Sequence, residues 1–271
     1  MGLQISKMLD SVRSDVREII EHRNILRSLI AKNLYGKYRN SILGFAWNFL
    51  TPVILMIMYY IVFSEIRSGS GIENRWLFIG SAIFLFSFLT SCITGGTSAF
   101  TGNAGMIKKM YIPKEILVLA KTISSMIVCV IGNVIVIVVM IATSYSIDWL
   151  YVSTLPILLL LALVFGIGCT FFLSSIAVYV RDIQYALGSV GIALFILTPM
   201  RYMAEDATGL LGMIIWLNPL TYFIEWNHQI LYWGVAPSLD YVLICAIIAF
   251  VMLIMGYLVY RKLKSGFVKR L

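Results

Sequence analysis

The stretch ATGLLGMIIWLNPLTYFI, residues 207–224, decides the fold, because the topology turns on whether it crosses a membrane. It carries no Asp, Glu, Lys or Arg, but Asn218-Pro219 interrupts it and Gly209 and Gly212 weaken its start as a helix. Six further stretches are equally free of charge: Asn40 to Ser64, Trp76 to Ile107, Thr122 to Ile147, Trp149 to Val180, Ile183 to Met200 and Tyr241 to Tyr260. A crossing helix needs roughly 20 apolar residues to cover about 30 Å of hydrocarbon, and these six qualify. With six spans and both termini inside, 18 of the 21 Lys and Arg residues face the cytoplasm and only Arg67, Arg75 and Arg201 lie outside, as the positive-inside rule requires. A seventh span through 207–224 would move Arg261, Lys262, Lys264, Lys269 and Arg270 outside together. Residues 201–239 therefore read as an outer segment that dips into the membrane without crossing. The composition agrees: 60% hydrophobic and 13% charged leaves too few charges to cover a soluble domain, which carries about 25%.

The expected fold is an all-α membrane protein: an N-terminal amphipathic interface helix (1–39), then a permease domain (40–271). Its six transmembrane helices fall near 43–63, 76–100, 119–143, 155–179, 183–200 and 241–260, with short re-entrant outer helices between the fifth and sixth. The first 42 residues hold twelve charges and no long apolar run, so they are no signal peptide. Ile5, Met8, Leu9, Val12, Val16, Ile19 and Ile20 recur at helical steps. A second stripe runs through Ile25, Leu26, Leu29, Ile30 and Leu34, accompanied by Arg23, Arg27, Lys32, Lys37 and Arg39. Such a helix suits the headgroup layer of the inner leaflet, or the surface of a partner protein. The net charge of +8 follows this membrane asymmetry, and no nucleic-acid partner is expected.

Intrinsic catalysis finds no support in the residues. The deep parts of the spans lack Asp, Glu, Lys, Arg and His, and no H-E-x-x-H motif or G-x-x-x-x-G-K-[ST] phosphate loop occurs. Cys92, Cys129, Cys169 and Cys245 are widely spaced within apolar stretches and read as core residues, with no metal site or disulfide framework. The spans do carry aromatic residues: Trp47, Phe49, Tyr59, Tyr60 and Phe63 in the first, Phe84, Phe86 and Phe88 in the second. Rings of this kind face lipid or form interfacial belts, or else line a path for a sugar polymer, whose pyranose faces stack on aromatic rings. Pro52 is placed to kink the first span.

A basic helix followed by Tyr38-Arg39-Asn40-Ser41-Ile42-Leu43-Gly44-Phe45-Ala46-Trp47 and Pro52 resembles the opening of the polysaccharide-export permeases of ATP-binding-cassette (ABC) transporters. Asn103 to Glu115 resembles that family's loop after the second span, and Arg181-Asp182 its loop before the fifth. Thr198-Pro199-Met200-Arg201-Tyr202 and Leu217-Asn218-Pro219-Leu220 resemble its outer segment. The resemblance implies export of a lipid-linked polysaccharide (O-antigen, capsular polysaccharide or teichoic acid). It implies a pair of permease copies bound to two ATPase subunits that hold ATP and Mg, with no cofactor in this chain. It also implies that the loop after the second span docks on the ATPase, through Lys108, Lys109, Tyr111, Pro113 and Glu115, with Tyr111 and Ile112 as an apolar knob. Lys37 and Arg39 would meet the phosphate of a lipid-linked substrate entering beside the N-terminal helix. A conduit between first and fifth spans would be lined by Trp47, Tyr59, Phe63 and Phe195. An outer gate would include Trp216, Asn218, Pro219 and Trp226, their region's rings at headgroup level. The alternatives are an ABC permease for small drugs or lipids, and a passive channel or scaffold.

Overall fold

The structure is a computed structural model that describes residues 15, 17–36, 41, 43–65, 72 and 74–270, and its described elements are all helical. Helix α1 spans Arg23–Gly36. A 3-10 turn at Gly44–Ala46, entered at a φ of 45° that suits glycine, leads into α2, Trp47–Glu65, with Pro52 inside it. Helix α3, Arg75–Thr90, continues into a π-helical turn at Ser91–Gly95. Two short helices follow, α4 (Ser98–Thr101) and α5 (Ala104–Lys109). The long helices α6 (Lys114–Ala142) and α8 (Leu155–Tyr179) flank the single turn α7 (Trp149–Val152). Then come α9 (Ile183–Leu197), α10 (Gly209–Leu217), α11 (Pro219–Leu231), α12 (Leu239–Leu263) and α13 (Phe267–Arg270).

Helix boundaries follow capping chemistry. Pro113 precedes α6 and puts no N–H where the first turn has no acceptor for it, and Glu115 supplies a carboxylate to the positive helix end. Asp148 caps α7 by accepting from the Leu150 amide at 2.9 Å. Asn218 ends α10 and starts α11: its Oδ1 accepts from the Leu220 amide at 3.1 Å while Pro219 fills the first helical position.

Four described segments are long and apolar enough to cross a membrane: Arg75–Gly95, Lys114–Ala142, Trp149–Tyr179 and Leu239–Gly266. Two shorter apolar helices, Gly44–Met58 and Ile183–Leu197, stand where the sequence places the first and fifth spans. The 15 residues of α9 reach about 22 Å, short of about 30 Å of hydrocarbon.

The main core gathers side chains from α3, α6, α8, α11 and α12. Helix α12 packs on α8 backbone to backbone: a Cβ on Gly256 would run into the Gly168 carbonyl oxygen, and one on Gly168 would meet the Met252–Leu253 peptide. At the opposite end from the loop at 103–115, α11 enters the core with Leu220, Phe223, Ile224, Asn227 and Leu231, spaced along one helical face. Asn227 Nδ2 donates to the Ser81 carbonyl at 2.6 Å, and His228 stacks on Phe78 at 3.8 Å with Nε2 3.2 Å from its carbonyl oxygen. Burial pushes the His228 pKa down to about 3, so the ring is neutral.

This packing corrects one expectation. Trp226 is 1% exposed and Phe223 fully buried, so neither ring is offered to lipid headgroups; the apolar face of α11 is spent on the protein core instead. The four cysteines are buried free thiols. The second N-terminal stripe also packs inward: Leu29 is buried, and Ile25, Leu26 and Ile30 rest on a cluster with Ile116, Leu117, Tyr260 and Phe267. The first stripe through Val16 lies outside the described residues.

Candidate functional site

The segment after α3 presents itself at one end of the helix stack. Helix α5 ends at Lys109, and the chain runs extended through Met110 to Pro113 before α6 begins. Lys108 and Lys109 are exposed, as are Met110 and Tyr111, the latter by 80%. Ile112 is buried at 7% and Pro113 with it, so the exposed apolar knob is Met110-Tyr111, not Tyr111-Ile112. The Tyr111 hydroxyl donates to Glu18 Oε1 at 2.7 Å, and that bond holds the phenol pKa above its usual value. Lys32 of α1 donates to Asn103 Oδ1 at 3.0 Å, a second strap between the N-terminal segment and this loop.

Glu115 points the other way. It is 5% exposed and accepts from the Tyr260 hydroxyl at 2.7 Å and from Lys264 at 3.4 Å. Lys114 donates to the Lys264 carbonyl at 3.2 Å and lies 5.4 Å from the Phe267 ring centre. Tyr257 reaches back to Asp15 at 2.5 Å. The base of the loop is thus knotted to the C-terminal end of α12 and to the N-terminal helix at once. The sequence reading missed Tyr260, Lys264 and Phe267, for nothing local in the chain points to partners some 145 residues away.

Between α2, α3 and α9 lies a cavity of about 280 Å³ that both Trp47 and Phe195 line, together with Asn48, Thr51, Phe86 and Thr90. Trp47 Nε1 donates to Ser41 Oγ at 3.1 Å, which orients the indole. Phe195 sits 5.9 Å from Phe86, and the Arg201 guanidinium lies 4.5 Å above its ring while donating to its carbonyl at 2.7 Å. The side chains of Tyr59 and Phe63, and all of Lys37 and Arg39, lie outside the described residues.

In the outer segment Trp216, Tyr222 and Tyr241 form a triangle of rings with centres 5.8 to 6.2 Å apart. Asn218 Nδ2 donates to Thr198 Oγ1 at 3.0 Å, tying the α10–α11 break to the end of α9. Pro219 starts α11, and Trp226 stands in the core behind it. Glu225 is lifted to a pKa of about 7, first by burial and then by Glu205, against a backbone hydrogen bond at Ala204 that lowers it.

Long apolar helices in close contact, with charged clusters confined to loops and ends, define a multi-pass membrane protein. The chain belongs to the ABC-2 type transporter family, which it matches over residues 25–232. It is similar to the O-antigen export system permease protein RfbA of Myxococcus xanthus, 25% identical over 241 residues that cover 88% of this chain and 92% of that one. It is likewise similar to an O-antigen export system permease protein RfbA of Klebsiella pneumoniae, 26% identical over 248 residues, 90% of this chain and 93% of that one.

Proposed function

We propose that the chain is the membrane subunit of an exporter that carries a lipid-linked polysaccharide, O-antigen foremost, out across the cytoplasmic membrane. The observation that carries this reading is the likeness to O-antigen export permeases along nearly the whole chain, both ends of the helix stack included. Teichoic acid or capsule export is the nearest alternative. In this reading there are six crossings, α2 and α9 supplying the first and fifth, with both termini cytoplasmic and α10–α11 re-entrant from outside. Two copies pair along α2 and α9, and two separate ATPase subunits that bind ATP and Mg supply the power stroke.

The geometry supports a division of labour. Tyr111, Lys108 and Lys109 project where a partner can press, while Pro113 and Glu115 anchor the same loop to helices that run through the molecule. The Trp47–Phe195 cavity sits between the two spans assigned to the conduit, and Lys37 and Arg39 remain the residues proposed to meet the substrate phosphate. Trp216 and the Asn218-Pro219 break belong to the proposed outer closure, with Trp226 as the core residue that backs it.

The test is complementation. A strain lacking its O-antigen export permease receives this chain with its cognate ATPase, and surface O-antigen is measured. Restoration by the wild type, with loss both of restoration and of ATPase co-purification in a Lys109→Ala, Tyr111→Ala double variant, is the expected result. Export unchanged in the double variant overturns the docking assignment. ATP turnover by the purified chain alone overturns the division of labour.

A further inference from the structure

An open cleft of about 540 Å³ lies between the loop that follows α6 and the loop that follows α11, lined by Ser146, Asp148, Trp149, Leu150 and Trp233. Helix α6 has 29 residues and reaches about 43 Å, so the cleft stands at the far end of the molecule from the 103–115 loop. Behind it the two loops are fixed to each other. Tyr145 donates its hydroxyl to the Tyr232 carbonyl at 2.9 Å, and the two rings stack with centres 6.0 Å apart. Trp233 in turn meets Tyr232 edge to face at 4.8 Å, and the chain turns away at Gly234, whose φ of 58° suits glycine. On the other wall Trp149 opens α7, the helix that Asp148 caps through the Leu150 amide. Both indoles stay open to the outside, Trp149 by 59% and Trp233 by 43%.

The chemistry of the walls defines the ligand. An indole face is the negative side of the ring quadrupole, and the axial C–H bonds on one side of a pyranose offer it a weakly positive, apolar patch. The ring hydroxyls need acceptors beside that patch. A carboxylate has two oxygens and about four lone-pair sites, so the single capping bond leaves Asp148 most of its accepting capacity. Ser146 is exposed and adds a hydroxyl that can donate or accept. Tryptophans at a membrane boundary ordinarily sit among headgroups, but here they share a cleft with Asp148, whose charge repels headgroup phosphates. A quaternary ammonium has no hydrogen bond to exchange with Asp148 or Ser146, and the open trough does not enclose it. A hydroxylated ring uses every wall.

We propose that this cleft binds a pyranose residue of a saccharide, its apolar face on Trp149 and Trp233 and its hydroxyls donating to Asp148. As a stage of export the site rests on the function proposed above: α11, which leads into Trp233, begins at the Asn218-Pro219 break of the outer closure. A glycan leaving the passage meets the cleft at the outer face and has a place to rest there, and its return is opposed.

The experiment is saturation-transfer NMR on the purified full-length chain in a polyoxyethylene detergent, which carries no sugar. The probes are tetrasaccharides of mannose, galactose and glucose, with choline chloride as the competing cation. At least one tetrasaccharide is expected to bind saturably, with transfer strongest at the C–H protons of one ring face. Trp149→Ala and Trp233→Ala should each weaken binding about fivefold, while Trp149→Tyr keeps a stacking surface and most of the affinity. Asp148→Asn still caps α7 but accepts more weakly, and should lower affinity without lowering the unfolding midpoint. The three positions are exposed, so the variants are expected to fold. Binding of no tetrasaccharide, binding of choline alone, or affinity unchanged in both alanine variants overturns the proposal. Complementation of export without saccharide binding strikes this site and leaves the export reading standing. Saccharide binding without complementation strikes the export reading and leaves the site.

Discussion

Glu115 shows how one side chain holds distant parts of the chain in register. Its carboxylate takes the hydroxyl of Tyr260, a residue 1% exposed, so truncating the acid strands a buried donor. Glu115→Ala is expected to cost about 1–3 kcal/mol and to lower the thermal unfolding midpoint in detergent. Tyr260→Phe should cost little more when added to it, since the two share one bond. Lys264 contributes less, because its side chain is more than a third exposed and solvent screens the ion pair. Glu225 is a different case. Its pKa of about 7 stands above the ordinary 4.5, and Glu205, Tyr202 and Tyr241 are the titratable groups that feel its charge. Between pH 4.5 and about 7 the folded chain keeps a proton that the unfolded chain has released, so stability falls as pH rises through that window. Glu225→Gln should therefore match the wild type at pH 4.5 and exceed it at pH 8 in a thermal unfolding series. A wild type as stable at pH 8 as at pH 4.5 would contradict the assignment.

Helices were the most readable layer. The charge-free runs marked α3, α6, α8 and α12 because a crossing segment has no use for charge, and Asn218-Pro219 marked the α10–α11 break because it is a cap followed by a residue without an N–H. The knot at Glu115, the π turn at Ser91–Gly95 and the burial of Trp226 were not readable. Each depends on which faces meet in three dimensions, and a stripe on α11 looks the same whether it faces lipid headgroups or the α3 backbone. Trp47 and Phe195, which line one cavity, were named together for a proposed conduit, and no spacing between the two residues in the sequence pairs them. At this scale the sharpest prediction concerns the α8–α12 seam. Gly256→Val pushes two methyls into the Gly168 carbonyl, where backbone cannot yield as a flexible side chain does. The expected loss is about 1–3 kcal/mol at least, read as a lowered unfolding midpoint, with Gly256→Ala intermediate. A midpoint unchanged by valine would mean that the helices are not in contact there.

For the whole molecule, the decisive question is where its basic tail resides. The native cysteines are all buried, so they give little background to a membrane-impermeant maleimide, and Lys262 is exposed. A Lys262→Cys variant should stay unlabelled in intact cells and react after lysis; labelling in intact cells would remove the six-crossing topology and the docking surface with it. The seam between Gly168 and Gly256 carries a mechanical corollary. Two rods touching along bare backbone have no side-chain cushion to shear over, so they travel as a single beam. In the proposed exporter, the opening of a passage would then fall to the peripheral staves, α2 and α9, swinging about a stiff keel.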